Sequence, residues 1–199
     1  MGRHDDQELL LEGVAAFVEH EVAPRAAAID EADAFPHELY RQMGALGLLG
    51  VWVPEAYGGN PVGLGSSLAM VERLARTSGS VSLIFANCAD GVGPLLAAGG
   101  EERERWLPGI ATGDVIPCFA LTEPEAGSDA ASITTRARLD GSDWVIDGSK
   151  AWCTNGSVGH VFTVFARTGD GPRDISAFVV PRGTPGPPTW LGLTVWGTC

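Results

Sequence analysis

The spacing of apolar residues changes once along the chain, near residue 115. Before that point apolar residues recur at helical spacing, and Pro24 ends the first such face, which comprises Leu10, Val14, Phe17, Val18 and Val22. Beyond Ile116 the spacing becomes two, as in a half-buried strand. One chain therefore holds two kinds of structure in succession, helical and then β.

Four further helices are predicted before residue 115. One begins at Pro36, because proline is tolerated at the first helical position. The side chains of Leu39, Met43 and Leu46 are expected to face inward. The next helix spans 66–77, and its inward-facing residues are expected to be Leu68, Val71, Leu74 and Ala75. The stretch 81–98 is apolar on nearly all sides, which indicates a buried helix. A short charged helix, 101–107, is expected to end at Pro108.

The second half predicts short strands separated by glycine-containing turns. Along 133–139, Arg136 and Arg138 point one way, and the opposite side holds Ile133, Thr135, Ala137 and Leu139. A turn at 140–143 leads to a returning strand at 144–147, and the strands 161–167 and 174–180 flank a second turn. We predict an α+β fold: an N-terminal α-helical domain (1–114), a small antiparallel β-barrel domain (115–182) and an irregular tail (183–199).

Composition excludes several function classes. The net charge is −12, and the only lysine, Lys150, accompanies twelve arginines, so we expect no binding to nucleic acid. The acidic start does not resemble a signal peptide, and no apolar run reaches the roughly 18 residues of a membrane helix, so we expect a cytoplasmic protein without membrane insertion. The four cysteines are far apart and the four histidines lack ligand spacing, so no metal site is expected.

The segment 120–132, ALTEPEAGSDAAS, carries the strongest chemical signal. Pro124 bends the chain, Gly127 lets the backbone approach a ligand, and Ser128 can donate to phosphate oxygens. The acidic Glu123 and Asp129 argue against a bare phosphate site and could cap turns or neighbouring backbone instead. Composition alone leaves an ordinary turn between helix and strand as the simpler interpretation.

Four motifs together resemble the acyl-CoA dehydrogenase family over about residues 5–186. The segment above matches the TEPxAGSD motif of that family without a mismatch, and GSKAWCTNG at 148–156 resembles its GxKxWITNG strand. The stretch 53–59 resembles the family's P-E-x-Y-G-G loop, and 102–108 resembles its K-x-x-Y-L-P helix end. Several motifs in the family's order make a chance similarity negligible.

The resemblance implies that FAD is the cofactor. The residues it assigns to cofactor binding are Phe119, Ala120, Leu121, Thr122, Gly127, Ser128, Trp152, Cys153 and Thr154. It implies that Leu121 and Thr122 bond the pyrimidine edge of the flavin, that Trp152 packs on the flavin face, and that the Thr154 hydroxyl reaches N5. Ser128 would meet a phosphate of FAD or of the CoA substrate. Phe119 and Cys153 depart from the family's common tyrosine and isoleucine at these places.

The resemblance also implies the reaction and the partners. A carboxylate takes the α proton of an acyl-CoA thioester while the β hydrogen leaves as hydride to the flavin. In the family that carboxylate belongs to a C-terminal helical domain, so we assign no catalytic residue here and do not promote Glu123, Glu125 or Asp129 to base. The expected partners are an acyl-CoA substrate and an electron-transfer acceptor, and full-length relatives are expected to be homo-oligomers.

Two alternatives stay open beside the dehydrogenase hypothesis. One is a flavin oxidase or monooxygenase on the same scaffold, and the other is a catalytically inactive module that binds flavin or CoA. The last 17 residues carry no charged side chain but hold prolines and tryptophans, which favours a truncated or frameshifted end. We therefore expect this chain alone to be inactive and to hold FAD weakly.

Overall fold

The computed structural model describes residues 3–184, with side chains from Leu9 onward. The predicted tail, 183–199, lies almost wholly outside the described residues. The helical domain comprises α1 (Arg3–Phe17), a π-helical turn (Val18–Val22), α2 (Ala26–Ala32), α3 (His37–Ala45), two 3-10 turns (Leu49–Trp52 and Glu55–Tyr57), α4 (Leu64–Ala75), α5 (Gly79–Ala97) and α6 (Gly100–Thr112).

Helix α5 is the centre of the helical domain. The Ser78 side chain caps its first turn by accepting a hydrogen bond from Val81 N. Its buried residues include Ile84, Phe85 and Cys88, which join one apolar cluster with residues of α1, α3 and α4. Among the described residues α5 is the one helix long and apolar enough to cross a membrane, but half of that stretch is buried inside the protein. The predicted buried helix at 81–98 is confirmed.

Helix α6 continues through Pro108 to Thr112, so the predicted end at Pro108 is wrong. Proline removes one backbone hydrogen bond and strains the turn before it, at a cost of about 3 kcal/mol. The last turn nevertheless buries Leu107, Ile110 and Ala111 in a second apolar cluster, and this burial offsets the loss. A strong tertiary contact has overridden a local helix-breaking signal.

Three helical-domain residues predicted to face inward are exposed. Leu46 is 55% exposed because α3 ends at Ala45, so the helical spacing no longer applies there. In α4 the buried face consists of Ser67, Met70 and Leu74, which leaves Leu68 54% exposed and Ala75 exposed as well. The Ser67 hydroxyl donates to Gly63 O at 2.8 Å, so a serine can occupy the inward position that the pattern gave to leucine.

Five strands form one sheet: β1 (Pro117–Ala120), β2 (Arg136–Asp140), β3 (Asp143–Asp147), β4 (Val161–Arg167) and β5 (Ile175–Pro181). The central strand is β4, which pairs with β5 antiparallel along its whole length. Its other edge pairs with β1 in parallel, Pro117 opposite Val161, and meets β2 at the single pair Arg136–Arg167. The hairpin β2–β3 is antiparallel, Leu139 opposite Trp144.

The α+β class is confirmed, but the sheet is mixed, and the described strands do not close into a barrel. The β1–β4 pair is parallel because residues 121–160 carry the chain away and return it to the same end of β1. A spacing of two cannot distinguish parallel from antiparallel pairing, which explains the antiparallel prediction. Leu139 is 60% exposed, contrary to prediction, because β2 pairs with β4 at one residue only and its outer end has no cover from the core.

Strand β1 connects the sheet to the helical domain. The Asn87 side chain on α5 donates to Pro117 O at 3.0 Å. Pro117 packs so closely on Gly91 of the same helix that a side chain at position 91 would collide with it. The Tyr40 hydroxyl on α3 donates to Val115 O at 3.3 Å. The start of β1 is thus fixed against α3 and α5, and its other end leads directly into the loop that carries the TEPxAGSD motif.

Candidate flavin site

Two loops meet beside the end of β1. The first loop (residues 121–135) connects β1 to β2, and the second loop (residues 148–160) connects β3 to β4. Ala151 N donates to Thr122 O at 2.8 Å, and Cys153 shares an apolar cluster with Cys118 and Ala120. The segments 119–122 and 151–154, about 30 residues apart in sequence, therefore lie side by side.

A buried ion pair joins the two loops. Lys150 Nζ lies 2.8 Å from Glu123 Oε1 and 3.0 Å from Leu121 O, and both charged side chains are only 3% exposed. The Glu123 carboxylate also accepts bonds from Thr134 N at 2.6 Å, Thr134 Oγ1 at 2.7 Å and Thr135 N at 2.9 Å. Because every bond is charge-assisted and the bonds of Glu123 to Lys150 and to Thr135 N are buried, this network holds both loops and the approach to β2 in one arrangement.

The ionised state of Glu123 depends on these donors. Burial opposes ionisation and acts to raise the pKa of Glu123, but the bonds from Lys150, Thr135 and Thr134 outweigh it and lower the pKa to about 2. Burial likewise lowers the pKa of Lys150, and the neighbouring Glu123 carboxylate opposes that effect. Glu123 is thus an ionised anchor for backbone and lysine, which confirms the capping role predicted for it from sequence.

Backbone strain is concentrated in the second loop. Trp152 has φ 57° and Asn155 has φ 62°, a left-handed conformation that side-chain-bearing residues seldom adopt. Trp152 is also 68% exposed, an unusual position for a tryptophan, and Asn155 Nδ2 is buried without a hydrogen-bond partner among the described residues. Strain, an exposed aromatic face and an unsatisfied donor within four residues are typical of a ligand-binding site.

Several hydroxyls in and beside this loop make no hydrogen bond within the part of the chain that the structure describes. Within residues 9–184, no hydrogen bond is made by the side-chain hydroxyl of Thr122, Ser128 or Thr154, or by the Thr122 N–H. The carbonyls of Leu121 and Thr122 are already taken by Lys150 and Ala151. The chemistry available to a ligand is therefore hydrogen-bond donation next to an aromatic face, which fits the polar edge and flat ring of a flavin.

Not every predicted residue lies at this junction. Gly127 and Ser128 occupy the exposed outer part of the first loop, where Gly127 has open space around it, and no described contact joins them to Trp152 or Thr154. Reciprocal bonds between the backbones of Glu123 and Ala126, 2.9 and 3.2 Å long, close the turn before them. Asp129 accepts a bond from the Ser132 hydroxyl, but its side chain does not cap the backbone of the 3-10 turn (Ala130–Ser132) that follows it.

Sequence reasoning left the Glu123–Lys150 pair unassigned. A usable signal was present, since the only lysine of the chain stands inside one motif and an acidic residue inside the other. Sequence reasoning also left Cys118 and Cys153 as unconnected buried thiols. In the structure the two buried thiols share one apolar cluster, and their interaction raises the pKa of Cys118 and lowers the pKa of Cys153.

Comparison with known proteins decides the relationship. The family model for the acyl-CoA dehydrogenase N-terminal domain matches residues 4–114, and the model for the acyl-CoA dehydrogenase middle domain matches 118–197. The chain belongs to the acyl-CoA dehydrogenase family. The second match continues past residue 182 and so includes most of the segment predicted to be an irregular tail.

Curated relatives agree. The acyl-CoA dehydrogenase of Bacillus subtilis (strain 168) is 37% identical over 185 residues, covering 91% of this chain and 49% of that protein. The human mitochondrial short-chain specific acyl-CoA dehydrogenase is 38% identical over 186 residues, covering 92% of this chain and 45% of that protein. The chain thus spans about half the length of the curated relatives it matches.

Solved structures with similar folds extend the agreement. Acyl-CoA dehydrogenase from Geobacillus kaustophilus superimposes with a TM-score of 0.82 at 33% identity, covering 91% of this chain and 49% of that one. A glutaryl-CoA dehydrogenase from Mycobacterium smegmatis in complex with FADH2 superimposes with a TM-score of 0.81 at 35% identity, covering 91% of this chain and 46% of that one. A chain from a study of the electron transferring flavoprotein of Acidaminococcus fermentans superimposes with a TM-score of 0.86 at 32% identity, covering 91% of this chain and 49% of that one.

Proposed function

We propose that this chain supplies the flavin-binding side of an FAD-dependent enzyme that introduces a double bond between the α and β carbons of acyl-CoA thioesters. The observation that carries the proposal is the junction of the two loops, where free donors surround a strained, exposed Trp152. The similar fold of a glutaryl-CoA dehydrogenase in complex with FADH2 supports the choice of cofactor. FAD, when bound, supplies the hydride acceptor for the β hydrogen.

The residues of this chain then have distinct tasks. Trp152 would pack on the flavin ring, the Thr122 N–H and hydroxyl would donate to its polar edge, and the Thr154 hydroxyl would donate beside the redox-active nitrogen. Ser128, exposed on the first loop, would meet a phosphate of FAD or of CoA. The Glu123–Lys150 pair would keep these donors in position before the ligand arrives, which lowers the ordering cost of binding.

None of the acidic residues of the first loop suits removal of the α proton. Glu123 accepts bonds from Lys150, Thr134 and Thr135, and its pKa is lowered to about 2, so it is too weak a base. Asp129 is bonded to Ser132, and Glu125 is exposed at the tip of a turn. We assign the proton acceptor to the part of the longer relatives that this chain does not match.

The proposal includes two partners and an assembly. The substrate would be an acyl-CoA, and the reduced flavin would pass its electrons to an electron-transfer acceptor such as an electron transferring flavoprotein. A homo-oligomer is proposed for the full-length protein. Localisation in the cytoplasm stays a prediction.

Flavin binding tests the site directly. We would titrate FAD with the 199-residue chain and follow quenching of flavin fluorescence, because an indole stacked on the ring quenches it. Trp152→Ala should abolish the quenching, whereas Trp144→Ala, which removes a 47% exposed tryptophan from β3, should leave it unchanged. Equal quenching in both variants would refute the assignment of Trp152.

Turnover separates the remaining hypotheses. The same chain, loaded with FAD, would be mixed with acyl-CoAs of several lengths and an artificial electron acceptor, with and without oxygen. Flavin binding without turnover is the expected outcome for this chain and leaves it a binding module by itself. Reduction of oxygen in place of the acceptor would favour a flavin oxidase, and turnover with the acceptor would require a proton acceptor within these residues.

A further inference from the structure

A second polar cleft lies at the other end of β1. It has a volume of about 420 Å³ and is lined by α3, by the turn after α6, by the second loop and by the residue after β5. Ile116, which lines it, immediately precedes β1, whereas the flavin-side donors follow β1. Since a strand advances about 3.3 Å per residue, the four residues of β1 separate the two sites by roughly 13 Å.

Two of its side chains are oriented by backbone contacts. His160 Nδ1 accepts a bond from Ile116 N at 3.0 Å, so the neutral ring carries its proton on Nε2, which is left to donate. Arg182 donates to Gly159 O and, at 2.9 Å, to Gly156 O, and its guanidinium lies 5.6 Å from the Phe162 ring centre. These contacts fix the guanidinium and leave further N–H groups for a ligand.

A third donor is free. Arg41, exposed on α3, makes no hydrogen bond and no ion pair with any residue in the range 9–184. His37 stands one turn before it on the same helix. The one acidic side chain in the lining is Asp114, whose carboxylate already accepts the Thr112 hydroxyl at 2.7 Å.

This concentration of positive charge stands out against the rest of the chain. The protein carries a net charge of −12, and four of its twelve arginines face a carboxylate: Arg25 with Glu21, Arg76 with Glu72, Arg136 with Asp170 and Arg138 with Asp140. In the cleft, by contrast, two arginines and two histidines share one opening with a single aspartate. Such a group of unneutralised donors suits an oxyanion.

We propose that this cleft binds the phosphate group of a small metabolite, held between the Arg41 and Arg182 guanidinium groups with His160 Nε2 as a third donor. A dianionic phosphate matches two planar guanidinium groups better than a single carboxylate does. The volume is within the range of small-molecule sites and leaves space for the rest of the ligand beside Ser157 and Val158. The proposal does not depend on flavin binding, because no residue of the flavin site lines the cleft.

The test uses inorganic phosphate as the ligand. We would titrate it into the 199-residue chain at constant ionic strength, with chloride as the compensating anion, and follow the NMR signals of the histidine rings and arginine Nε–H groups. Saturable shifts of His160 and Arg41 are expected, with a Kd on the order of 1 mM. Acetate at the same concentrations should bind at least about fivefold more weakly, because it carries one charge and two oxygens.

Two matched variants give the decisive comparison. Arg41→Gln should weaken phosphate binding by about tenfold or more, since it removes a charge-assisted bond. Arg73→Gln removes the same charge from the exposed last turn of α4, away from the cleft, and should change the Kd by less than about twofold. Equal effects of the two substitutions, shifts that never saturate, or equal binding of acetate and phosphate would overturn the proposal.

Discussion

The core around α5 and the junction of the two loops are held together in opposite ways. The first consists of regular helices whose apolar side chains pack in a cluster that includes Met43, Leu74 and Phe85. The second lacks regular structure and depends on one ion pair and a few hydrogen bonds around Glu123. Apolar packing tolerates exchange for a side chain of similar volume, whereas a few strong contacts with exact partners tolerate no exchange. The part that carries the chemistry is therefore the part most sensitive to one substitution.

Breaking the ion pair should have the largest effect. Lys150→Ala leaves the buried Glu123 carboxylate without its countercharge and should lower the free energy of unfolding by about 3–5 kcal/mol, measured by urea denaturation. The control is Glu72→Gln, which breaks the 2.6 Å pair with Arg76 on the surface of α4 and should cost no more than about 0.5 kcal/mol. Similar losses in the two variants would contradict the contrast between the regions.

A core truncation should come next. Leu74→Ala removes a fully buried side chain of α4 and should cost about 2–5 kcal/mol, the usual range for such a cavity. Leu68→Ala, on the exposed side of the same helix, should cost less than about 1 kcal/mol. FAD affinity should fall little in either variant, whereas Lys150→Ala should reduce it strongly, and this difference separates the two regions by function.

Lowering the pH should destabilise the junction of the two loops, because Glu123 takes up a proton on unfolding. Its folded pKa of about 2 lies below the ordinary value of 4.5, so the unfolded state binds the proton first and stability falls as the pH drops from 4.5 towards 2. One such group contributes up to roughly 1.4 kcal/mol per pH unit to the slope of the free energy of unfolding against pH. Glu123→Gln should lose that part of the slope, and Lys150 adds none because it is protonated in both states there. An unchanged slope in the variant would count against an ionised anchor.

The smallest effect concerns the strained tryptophan. Trp152→Gly should raise the free energy of unfolding by about 1 kcal/mol, because glycine adopts φ 57° without steric cost and the exposed indole has little packing to lose. The same substitution should weaken FAD binding. Stability and binding measured together would then move in opposite directions, and a loss of both would mean that the indole supports the fold.

The sequence allowed the helices and strands to be predicted where one apolar pattern governs them. Strand β4 has the predicted bounds, Val161–Arg167, because it is a short, mostly apolar run that is buried on both faces of the sheet. The pattern failed at Pro108 and Leu68, where a tertiary contact or a satisfied serine outweighed the local signal. It failed again for strand direction, since alternation carries no information on which way a neighbour runs.

The candidate site was predictable as a pair of motifs but not as a geometry. Their spacing predicts that Thr122, Ser128, Trp152 and Thr154 converge on one surface. The Ala151–Thr122 bond is in keeping with that for the segments around Thr122 and Trp152, whereas Ser128 lies on the exposed outer part of the first loop. The left-handed backbone of Trp152 and the Asn155 amide, which lacks a partner among the described residues, are results of tertiary packing, which no local pattern encodes. The cofactor roles of these residues stay predictions until flavin binding is measured.

The parallel pairing of β1 with β4 has a consequence for synthesis of the chain on the ribosome. About 40 residues separate Ala120 from Val161, and β1 has no other strand partner in the described sheet. At roughly 5–20 residues per second, translation leaves the edge of β1 unpaired for about 2–8 s after it has been made. During that interval its docking on α5 through Asn87 and Gly91 is what shields the strand from pairing with another nascent chain.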